Sequence, residues 1–322
     1  MNVLILGGAG FLGSFLTEKL LSHDCLVTIF DRLSPETLSH EMVEIIEHPN
    51  VRYEQLDLLN EPFKQKIDHQ HTHVVHLAAQ LGVQNVLDNP QQVLWDNVAL
   101  TNIAIDIAIK QKNLKQLLFA STSEIYAGSV ASGVAPIPTN ETTSLVLPEL
   151  SNPRTSYMLS KIYGEAMVQH SGLPSINFRP HNLYGPRMGF RHVIPQLYEK
   201  ALKSRDGSLT VFSPDHTRCF CFIDDATELL WRLMRIHVAS ATTVNIGRQN
   251  EEINMRGLAE KIIEMAGLDL FIVEAEETLG SPKRRAPDMN LCEALTGYKS
   301  AISLEDGLQR TINWYQKILR QN

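Results

Sequence analysis

The chain contains little cysteine, and its positive charges are outnumbered by negative ones. Four cysteines occur in 322 residues, at positions 25, 219, 221 and 292, and their spacing does not form a disulfide framework. Such usage is typical of a reducing compartment, and we interpret Cys219 and Cys221 as strand packing rather than as a metal site. The formal charge of -7 is unfavourable for a broad surface that binds nucleic acid or acidic lipid. An anionic ligand is therefore expected to meet a local cluster of arginines.

Long apolar runs are missing as well. No stretch approaches the roughly 18 unbroken apolar residues of a membrane span. The apolar residues 2–6 are too few for a secretory signal and lack a cationic start. We therefore expect a cytoplasmic protein with no nucleic-acid and no membrane partner. With 43% hydrophobic and 20% charged residues, the composition is that of a globular protein with a large core.

The first half of the chain alternates short apolar runs with amphipathic segments, which predicts an α/β fold with a doubly wound parallel sheet. A less regular second half predicts a smaller C-terminal substrate-binding lobe. We expect residues 1–180 to form the cofactor domain and residues 181–322 mainly the second lobe, interleaved with the first. The predicted strands are 2–6, 26–30, 51–56, 73–77, 116–120 and 175–179, and the later helices are 194–203, 225–235, 255–266 and 304–319.

Two helices are expected to face a partner subunit. Residues 97–110 are apolar nearly all round the helix, which indicates burial on two sides. The helix that carries Tyr157 has a similar apolar face, so we expect a homodimer through helices near 97–111 and 155–170. The loop 127–153 is irregular and rich in small polar residues, and loops of this length usually bind or cover something. It is interpreted as the rim of an active site.

A glycine-spaced loop joins the first strand to the first helix. A loop of this kind lets the backbone approach a pyrophosphate, while the helix N-terminus faces its charge. The pattern predicts dinucleotide binding, with a purely structural turn as the alternative. The loop reads Gly7-Gly8-Ala9-Gly10-Phe11-Leu12-Gly13.

Two carboxylates follow the next strands. Asp31 lies 18 residues after Gly13, where it can accept hydrogen bonds from the adenosine ribose and repel a 2′-phosphate, which favours NAD. Arg32 keeps NADP open, because an arginine can pair with that phosphate. Asp57 is a candidate for the adenine amino group or, alternatively, a turn cap.

Tyr157 and Lys161 are four residues apart and share one face of a helix. A tyrosine that acts as a base at neutral pH needs its pKa lowered by ~3 units, or about 4 kcal/mol. An ammonium ~4 Å away supplies about that much at an effective dielectric near 20. The pair therefore predicts a catalytic base, with an exposed helix pair as the alternative.

Hydroxyls and a carboxylate follow the fifth predicted strand. Thr122 is placed to orient a reacting hydroxyl, and Glu124 to move a second proton, because open α/β sheets bind ligands at the carboxyl ends of their strands. An ordinary carboxylate at a helix start is the alternative for Glu124.

These motifs together resemble the extended short-chain dehydrogenase/reductase family, the NAD-dependent nucleotide-sugar epimerases, dehydratases and decarboxylases. The likeness covers essentially the whole chain and implies a Rossmann-like sheet. The motifs are the loop 7–13, residues 76–79, Asn97, residues 121–126, Tyr157 with Lys161, residues 179–187, Arg218, residues 220–225 and residues 284–288.

The resemblance also implies roles. Tyr157 would take the proton of a sugar hydroxyl as hydride leaves for NAD, Lys161 would support it, and Thr122 would bind the sugar oxygen. The triplet Thr122, Ser123 and Glu124 is similar to those of dehydratases and decarboxylases. Further cofactor contacts are implied for Phe11, Leu12, Leu58, Leu77, Ala78, Ala79 and Asn97, and contacts to a nucleotide-diphosphate sugar for Asn182, Arg187, Arg218 and Arg285.

We expect an NAD-dependent nucleotide-sugar epimerase or dehydratase that passes through a 4-keto sugar and recycles its NAD, with UDP as the nucleotide. A UDP-glucuronate-type decarboxylase and a non-catalytic NAD-binding scaffold are the alternatives. The histidines at 69, 71, 73 and 76 suggest a metal, but no paired cysteines or carboxylates accompany them. We expect no metal site.

Overall fold

The computed structural model describes residues 1–60, 67–277 and 282–321, and side chains up to residue 319. Within these ranges, strands and helices alternate along the first half of the chain. The strands are β1 (Asn2–Leu6), β2 (Leu26–Asp31), β3 (Val51–Gln55), β4 (His73–His76), β5 (Gln116–Ala120), β6 (Ser175–Pro180), β7 (Leu183–Tyr184), β8 (Ser208–Phe212), β9 (Thr217–Cys219), β10 (Cys221–Phe222), β11 (Thr242–Ile246), β12 (Glu252–Asn254), β13 (Phe271–Ala275) and β14 (Arg284–Arg285).

The helices connect these strands and cover the faces of the sheet. Two short 3-10 helices, Pro35–Thr37 and Ser123–Tyr126, accompany them. The α-helices are α1 (Phe11–Leu21), α2 (His40–Ile46), α3 (Val83–Asp88), α4 (Pro90–Ile109), α5 (Ala127–Ala131), α6 (Arg154–Gln169), α7 (Val193–Lys203), α8 (Ile223–Leu233), α9 (Met255–Ala266), α10 (Asn290–Thr296) and α11 (Leu304–Gln321).

Seven parallel strands form the central sheet in the order β11-β6-β5-β4-β1-β2-β3. The chain moves outward from β1 to β3 and then returns to the other side of β1 with β4. This reversal opens a crevice between the carboxyl ends of β1 and β4, which is where doubly wound sheets bind ligands. The predicted α/β class with a Rossmann-like sheet is confirmed.

Helices cover both faces of the sheet, so its strands are apolar on both sides. On one face, α1 packs on β2 and α8 packs on β11, around residues such as Leu16, Ile29 and Leu229. On the other face, the apolar core includes Leu4 and Leu100, from β1 and α4. Within the described ranges, no helix combines the length and the apolar character needed to cross a membrane.

A separate apolar core forms under the small C-terminal sheets. It gathers residues of α7, α9 and α11, such as Tyr198, Ile262 and Ile312, with the strands β8 and β10. The three-stranded sheet β12-β9-β14 brings Arg218 and Arg285 side by side on adjacent strands. By contrast, α8 and β11 come from the same half of the sequence but pack with the central sheet.

The six predicted strands are present, with ends that differ by one residue at most. The short strands β7–β10 and β12–β14 and the helices α2, α3 and α10 were not predicted, and two further differences concern the central sheet and its helices. A seventh strand, β11, joins the central sheet beside β6, and α4 begins at Pro90 rather than near 97. The loop 127–153 is mostly irregular, as expected, but its first residues form the short helix α5.

Candidate active site

The glycine loop lies at the crevice between β1 and β4. Gly7 has a φ of +81°, and a Cβ there would lie 2.6 Å from Ala78. A Cβ on Gly13 would lie 2.4 Å from the carbonyl oxygen of Gly8, so this glycine lets α1 start close against the loop. A Cβ on Gly10 would have only Gly7 O nearby, at 3.9 Å, because Gly10 faces the crevice.

The start of α1 suits an anion. Gly10 is its N-cap and brings no side chain to the first N–H groups of the helix. These groups and the helix dipole point toward the crevice, as at other phosphate-binding helix starts. Close backbone packing therefore requires Gly7 and Gly13, Gly10 leaves the crevice open, and the loop fits a pyrophosphate.

Asp31 is fixed at the end of β2 beside this loop. Its Oδ2 accepts from Ala9 N at 2.9 Å, and its Oδ1 accepts from Leu33 N at 3.1 Å. A carboxylate has about four acceptor sites, so room remains for two ribose hydroxyls. Arg32 is exposed at the same edge. Asp57 accepts from Leu59 N and from the Asn60 side chain, which makes it a turn cap as well as a cavity residue.

These residues line one elongated cavity of about 330 Å³. The residues present fit the adenosine half of a dinucleotide, because an anion-binding helix start, a ribose-binding carboxylate and apolar walls follow one another along it. Of the residues predicted to bind the cofactor, the cavity is lined by Gly7, Gly10, Asp31, Arg32, Asp57, Leu58, Leu77, Ala78 and Ala79.

Three other predicted cofactor residues lie behind this wall. Phe11 and Leu12 pack against the C-terminal core. The amide of Asn97 accepts from Gln80 N at 2.7 Å and donates to Gln80 O at 3.1 Å and to Ser160 Oγ at 3.2 Å. Asn97 thus holds the segment after β4 against α6. Direct contact of these three with a cofactor stays a prediction.

Tyr157 and Lys161 lie on the face of α6 that meets β5. A Cβ on Gly164 would lie 2.5 Å from the Phe119 ring, so this glycine allows α6 to approach the strand closely. Lys161 is buried, and its Nζ donates to Ala120 O at 2.9 Å. The same Nζ lies 5.9 Å from the centre of the Tyr157 ring. The structure therefore brings the predicted pair together at the carboxyl end of β5.

The pKa values of the pair move in opposite directions. Burial, and then the charge of Glu124, raise the pKa of Tyr157, whereas a hydrogen bond with Thr122 lowers it. Burial lowers the pKa of Lys161 to about 8, against a smaller effect of Glu165. The net shift of Tyr157 is thus opposite to the one that the sequence predicts, because desolvation of the phenol dominates. A lowered pKa in the presence of cofactor and substrate stays a prediction.

Thr122, Glu124 and Tyr157 face a second cavity, of about 740 Å³, whose far wall is the segment 189–192. Thr122 caps the 3-10 helix, since its Oγ1 accepts from Glu124 N at 3.2 Å, and this bond fixes the direction of the Thr122 side chain. Ser123 is buried at the start of this 3-10 helix and does not line the cavity. Of the predicted triplet, the structure therefore brings two members to Tyr157.

A third cavity, of about 440 Å³, lies beneath the loop 127–153. A Cβ on Gly128 would lie 1.9 Å from Val146 O, so the loop can close over α5 only above a glycine. Arg285 lines this cavity, and Glu124 and Arg154 line both it and the larger one. Arg154 Nη2 donates to Glu124 Oε1 at 3.3 Å.

Arg218 and Arg285 are neighbours across β9 and β14. Arg218 Nη1 donates to the carbonyl oxygens of Thr217 and Lys283. Burial, and then the charge of Arg285, lower the pKa of Arg218 to about 10. Burial also lowers the pKa of Arg285, while Glu124 opposes this and Arg154 adds to it. Two guanidinium groups side by side are well suited to a phosphate or carboxylate.

The other two predicted substrate residues are engaged elsewhere. Asn182 has a φ of +43°, and its Nδ2 donates to Cys219 O at 3.0 Å. Arg187 makes a two-fold ion pair with Glu18, at 3.1 and 2.6 Å, and stacks 3.7 Å above the Phe15 ring. Neither lines the cavities around Tyr157. Their contact with a substrate stays a prediction.

The histidine-rich segment forms separate contacts. His71 is bonded to Gln111 and Thr28, whereas His73 Nε2 lies 3.0 Å from Met234 O. Across the described ranges, no three His, Cys, Asp or Glu side chains gather as a metal site requires. Cys219 and Cys221 are buried in β9 and β10 as free thiols.

A model of the NAD dependent epimerase/dehydratase family matches residues 3–247. The chain belongs to this family. It is therefore an NAD-dependent enzyme. The glycine loop, Asp31 and the paired Tyr157 and Lys161 agree with this dependence. The predicted family and cofactor are confirmed.

Individual members of the epimerase/dehydratase family resemble the chain along its full length. The UDP-N-acetyl-alpha-D-glucosaminuronate decarboxylase of Bacillus cytotoxicus is 30% identical over 328 residues, which cover 98% of each chain. The UDP-glucose 4-epimerase of Thermotoga maritima, solved with UDP-glucose, has a TM-score of 0.83 at 26% identity and covers 99% of this chain and 100% of that one. The UDP-glucuronic acid 4-epimerase of Bacillus cereus, solved with UDP-glucuronic acid and NAD, has the same fold, with a TM-score of 0.85 at 22% identity over 99% and 100% of the chains.

Arg154 is the site residue that the sequence did not reveal. It stands at the first position of α6, one turn before Tyr157, and meets Glu124 of the 3-10 helix that follows β5. A signal was present, because an arginine at a helix start is electrostatically unfavourable and implies an anionic partner. The identity of that partner depended on the tertiary structure.

Proposed function

We propose that this enzyme acts on a nucleotide-diphosphate sugar, with UDP as the nucleotide, through a transient 4-keto intermediate. The observation that carries the proposal is the convergence of Thr122, Glu124 and Tyr157 on one cavity of about 740 Å³. This volume suits a sugar with part of its diphosphate. The cavity adjoins the end of β5, where Lys161 is held by Ala120 O.

Each of these residues has a step in the proposal. Bound NAD supplies the acceptor, and later the donor, of hydride. Thr122 donates to the phenolic oxygen and holds the sugar hydroxyl beside it. Tyr157 takes the hydroxyl proton as the C4–H bond breaks, and Lys161 stabilises the resulting phenolate. The C4 ketone then makes the hydrogen on C5 acidic, and Glu124 stands on the same wall to move that proton.

The outcome after oxidation depends on what C5 carries. For a sugar with a 6-hydroxyl, Glu124 takes the C5 proton and returns it to the leaving hydroxide, so that water is lost. If the proton instead returns to the opposite face of C5, the product is an epimer. In the dehydratase the hydride would go to C6 while C5 takes up the proton held by Tyr157, whereas in the epimerase the hydride would return to C4 and that proton to its oxygen. NAD would be restored in both cases.

Decarboxylation of a uronate sugar is the second candidate, and a specific observation favours it. Arg285 lines the cavity beneath the loop 127–153, which adjoins the sugar cavity at Glu124 and Arg154, and the charges of both residues act on it. A carboxylate on C5 fits a guanidinium at this place. Once C4 is a ketone, that carboxylate belongs to a β-keto acid. The C5–C6 bond then breaks, carbon dioxide leaves, and C5 takes up a proton.

A panel of UDP-, dTDP-, GDP- and CDP-sugars, neutral and uronate, tests the proposal. Each is incubated with the purified enzyme in deuterated water and the products are weighed by mass spectrometry. Loss of water identifies a dehydratase, loss of carbon dioxide a decarboxylase, and deuterium uptake alone an epimerisation at C5. A hydride-only 4-epimer has unchanged mass and is separated by chromatography.

Tyr157→Phe is the control that separates catalysis from a scaffold role. The variant retains the ring and its packing but lacks the proton acceptor, and we expect its turnover to fall about 100-fold or more. If conversion by Tyr157→Phe equals that of the wild-type protein for every sugar, the proposed chemistry is wrong and the non-catalytic scaffold is supported.

We also propose an assembly and a location. Residues 1–180 would bind NAD, and residues 181–322 would mainly hold the substrate. Two copies would pair through α4 and α6, whose outer faces carry the exposed side chains of Trp95, Ile109 and Tyr163. Such large apolar side chains on adjoining helices suit a partner surface. The four buried thiols are compatible with a cytoplasmic location.

A further inference from the structure

Arg154 and Glu124 stand in the wall between two cavities. They are the two lining residues that the 740 Å³ cavity around Tyr157 and the 440 Å³ cavity beneath the loop 127–153 have in common. Their side chains are 25% and 31% exposed, and the ion pair spans 3.3 Å. The Glu124 carboxylate is therefore held in the wall that the two cavities share, and its contact with Arg154 restricts its movement in the larger cavity.

The position of Arg154 is costly for the helix itself. It is the first residue of α6, where a cation meets the positive end of the helix dipole. The backbone there is held independently, since Arg154 N donates to Asn152 Oδ1 at 3.0 Å. Helix formation thus gives no reason for an arginine, whereas its contact with Glu124 does.

The ion pair links Glu124 to the helix that carries the base. Arg154 and Tyr157 are three residues apart and lie on neighbouring positions of the same helical face. Glu124 comes from the segment after β5, which is otherwise joined to α6 near Tyr157 through Thr122. The arginine therefore sets the distance between the carboxylate and the phenol.

The distance between Glu124 and Tyr157 matters because the charge of the carboxylate opposes deprotonation of the phenol. The negative charge of Glu124 raises the pKa of Tyr157. A carboxylate that turned toward the phenol would resist the first proton transfer, whereas one that turned toward Arg285 would occupy the place of a substrate anion. The ion pair with Arg154 gives the carboxylate a third partner, which competes with both of these directions.

We propose that Arg154 is a positioning residue, which holds Glu124 clear of Tyr157 and Arg285 during oxidation at C4 and keeps it ready for the later step at C5. The inference rests on the proposed function, because it assumes that Glu124 acts on the sugar after the ketone has formed. It adds a residue whose loss separates the two halves of the reaction.

Arg154→Met and Arg154→Lys test this with the NAD-loaded enzyme and the sugar that the panel identifies. For Arg154→Met we expect KM to change less than about threefold and kcat to fall about 10- to 100-fold, because the carboxylate is misplaced. The reduced nicotinamide should accumulate and be visible by its absorbance, because oxidation at C4 outpaces the step at C5. Arg154→Lys, which keeps a charge, should recover part of kcat.

Arg52→Met is the matched control. Arg52 makes an ion pair with Glu54 on the edge strand β3 and lines none of the three cavities. Its kcat and KM should equal those of the wild-type protein. Thermal unfolding of each variant shows whether it is folded at the assay temperature.

Two results overturn the inference. One is a wild-type kcat in Arg154→Met, and the other is a loss of kcat with no accumulation of reduced nicotinamide, which indicates a merely structural contact. In either case Tyr157→Phe still reports on the proposed function, since that variant stops the first step. Failure of the inference and failure of the proposed function are therefore distinguishable.

Discussion

Arg285 lies directly beside Arg218 in the register of the parallel strands β14 and β9. Both are half-buried or buried, so their charges are not fully screened by water. Burial, and then the charge of Arg285, lower the pKa of Arg218 to about 10, so the two charges repel each other. An anion bound by both guanidiniums relieves this repulsion. Binding of a charged substrate by this pair stays a prediction.

The two arginines should be separable by substrate. Arg218→Met is expected to raise the Kd of every nucleotide-diphosphate sugar about tenfold or more, because the diphosphate is common to all of them. Arg285 also lies near Glu124, so Arg285→Met should weaken the binding of a uronate sugar more than the binding of its neutral counterpart. Calorimetric titration with UDP-glucuronate and UDP-glucose measures both effects.

Arg284→Met serves as control for that experiment. Arg284 is adjacent in sequence but forms an exposed two-fold ion pair with Glu252, at 2.7 Å for each bond. Its Kd values should stay at the wild-type level. Equal losses for both sugars in Arg285→Met would place this residue at the diphosphate and remove the argument for a uronate.

Lys161 should set the alkaline limit of the reaction. Burial lowers its pKa from 10.5 to about 8, so that the ammonium is present below that pH and is lost as pH rises through it. Since the ammonium supports the deprotonated Tyr157, kcat/KM should fall above about pH 8. The measurement is a pH profile of kcat/KM with the wild-type protein.

Lys161→Arg is the decisive variant for this prediction. A guanidinium keeps its charge throughout the range, so the alkaline fall should disappear even though the absolute rate is lower. A profile that falls at the same pH in both proteins would assign the limit to another group.

The central sheet was predictable because its first six strands are short apolar runs separated by helical periodicity. β11 was not, because it reads Thr242-Thr243-Val244-Asn245-Ile246 and contains a polar residue that is fully buried. The buried Asn245 is tolerated in this strand because its side chain forms hydrogen bonds with the Tyr126 hydroxyl, Thr139 O and Asp288 O. These partners come from distant segments, and local sequence does not reveal them.

The site was predictable to the same degree. Tyr157, Lys161 and Thr122 belong to local motifs with a chemical meaning, and the fold brings them together. Arg154 depends on a contact with Glu124 across 30 residues, and the side chain of Asn97 on Gln80 and Ser160. Patterns in sequence therefore predicted which groups meet at the end of β5, whereas the contacts that orient them required the structure.

The outer faces of α4 and α6 should form the contact between two subunits. Trp95 is 72% exposed and Ile109 57%, although both are large and apolar. Trp95→Glu combined with Ile109→Glu should convert a dimer into a monomer, because charges would be buried at the two-fold interface. Light scattering after size-exclusion chromatography measures the mass.

Phe271→Glu is the control for the dimer. Phe271 is 63% exposed on β13, in the other lobe, and its substitution should leave the mass unchanged. A wild-type protein that runs as a monomer at micromolar concentration would contradict the proposed pairing.

Buried neutral histidines should make the fold sensitive to acid. His76 is fully buried next to Phe119, and neither ring nitrogen has a hydrogen-bond partner among the described residues. Burial, and then the charge of Lys161, lower its pKa to about 3. In the unfolded chain a histidine takes up its proton near pH ~6.5. Stability is therefore lost as pH falls from about 6.5 toward about 3, because only the unfolded chain gains the proton.

His76→Phe should flatten this dependence. Between about pH 6 and about pH 4, the free energy of unfolding should fall with decreasing pH in both proteins. The slope should be steeper in the wild-type protein than in His76→Phe by roughly 1 kcal/mol per pH unit. Denaturant titrations at several pH values give the two slopes. His40→Phe is the control, since its side chain is 85% exposed and stays in water in both states. Equal slopes for His76→Phe and the wild-type protein would mean that His76 is protonated in the folded state, with a partner for its charge.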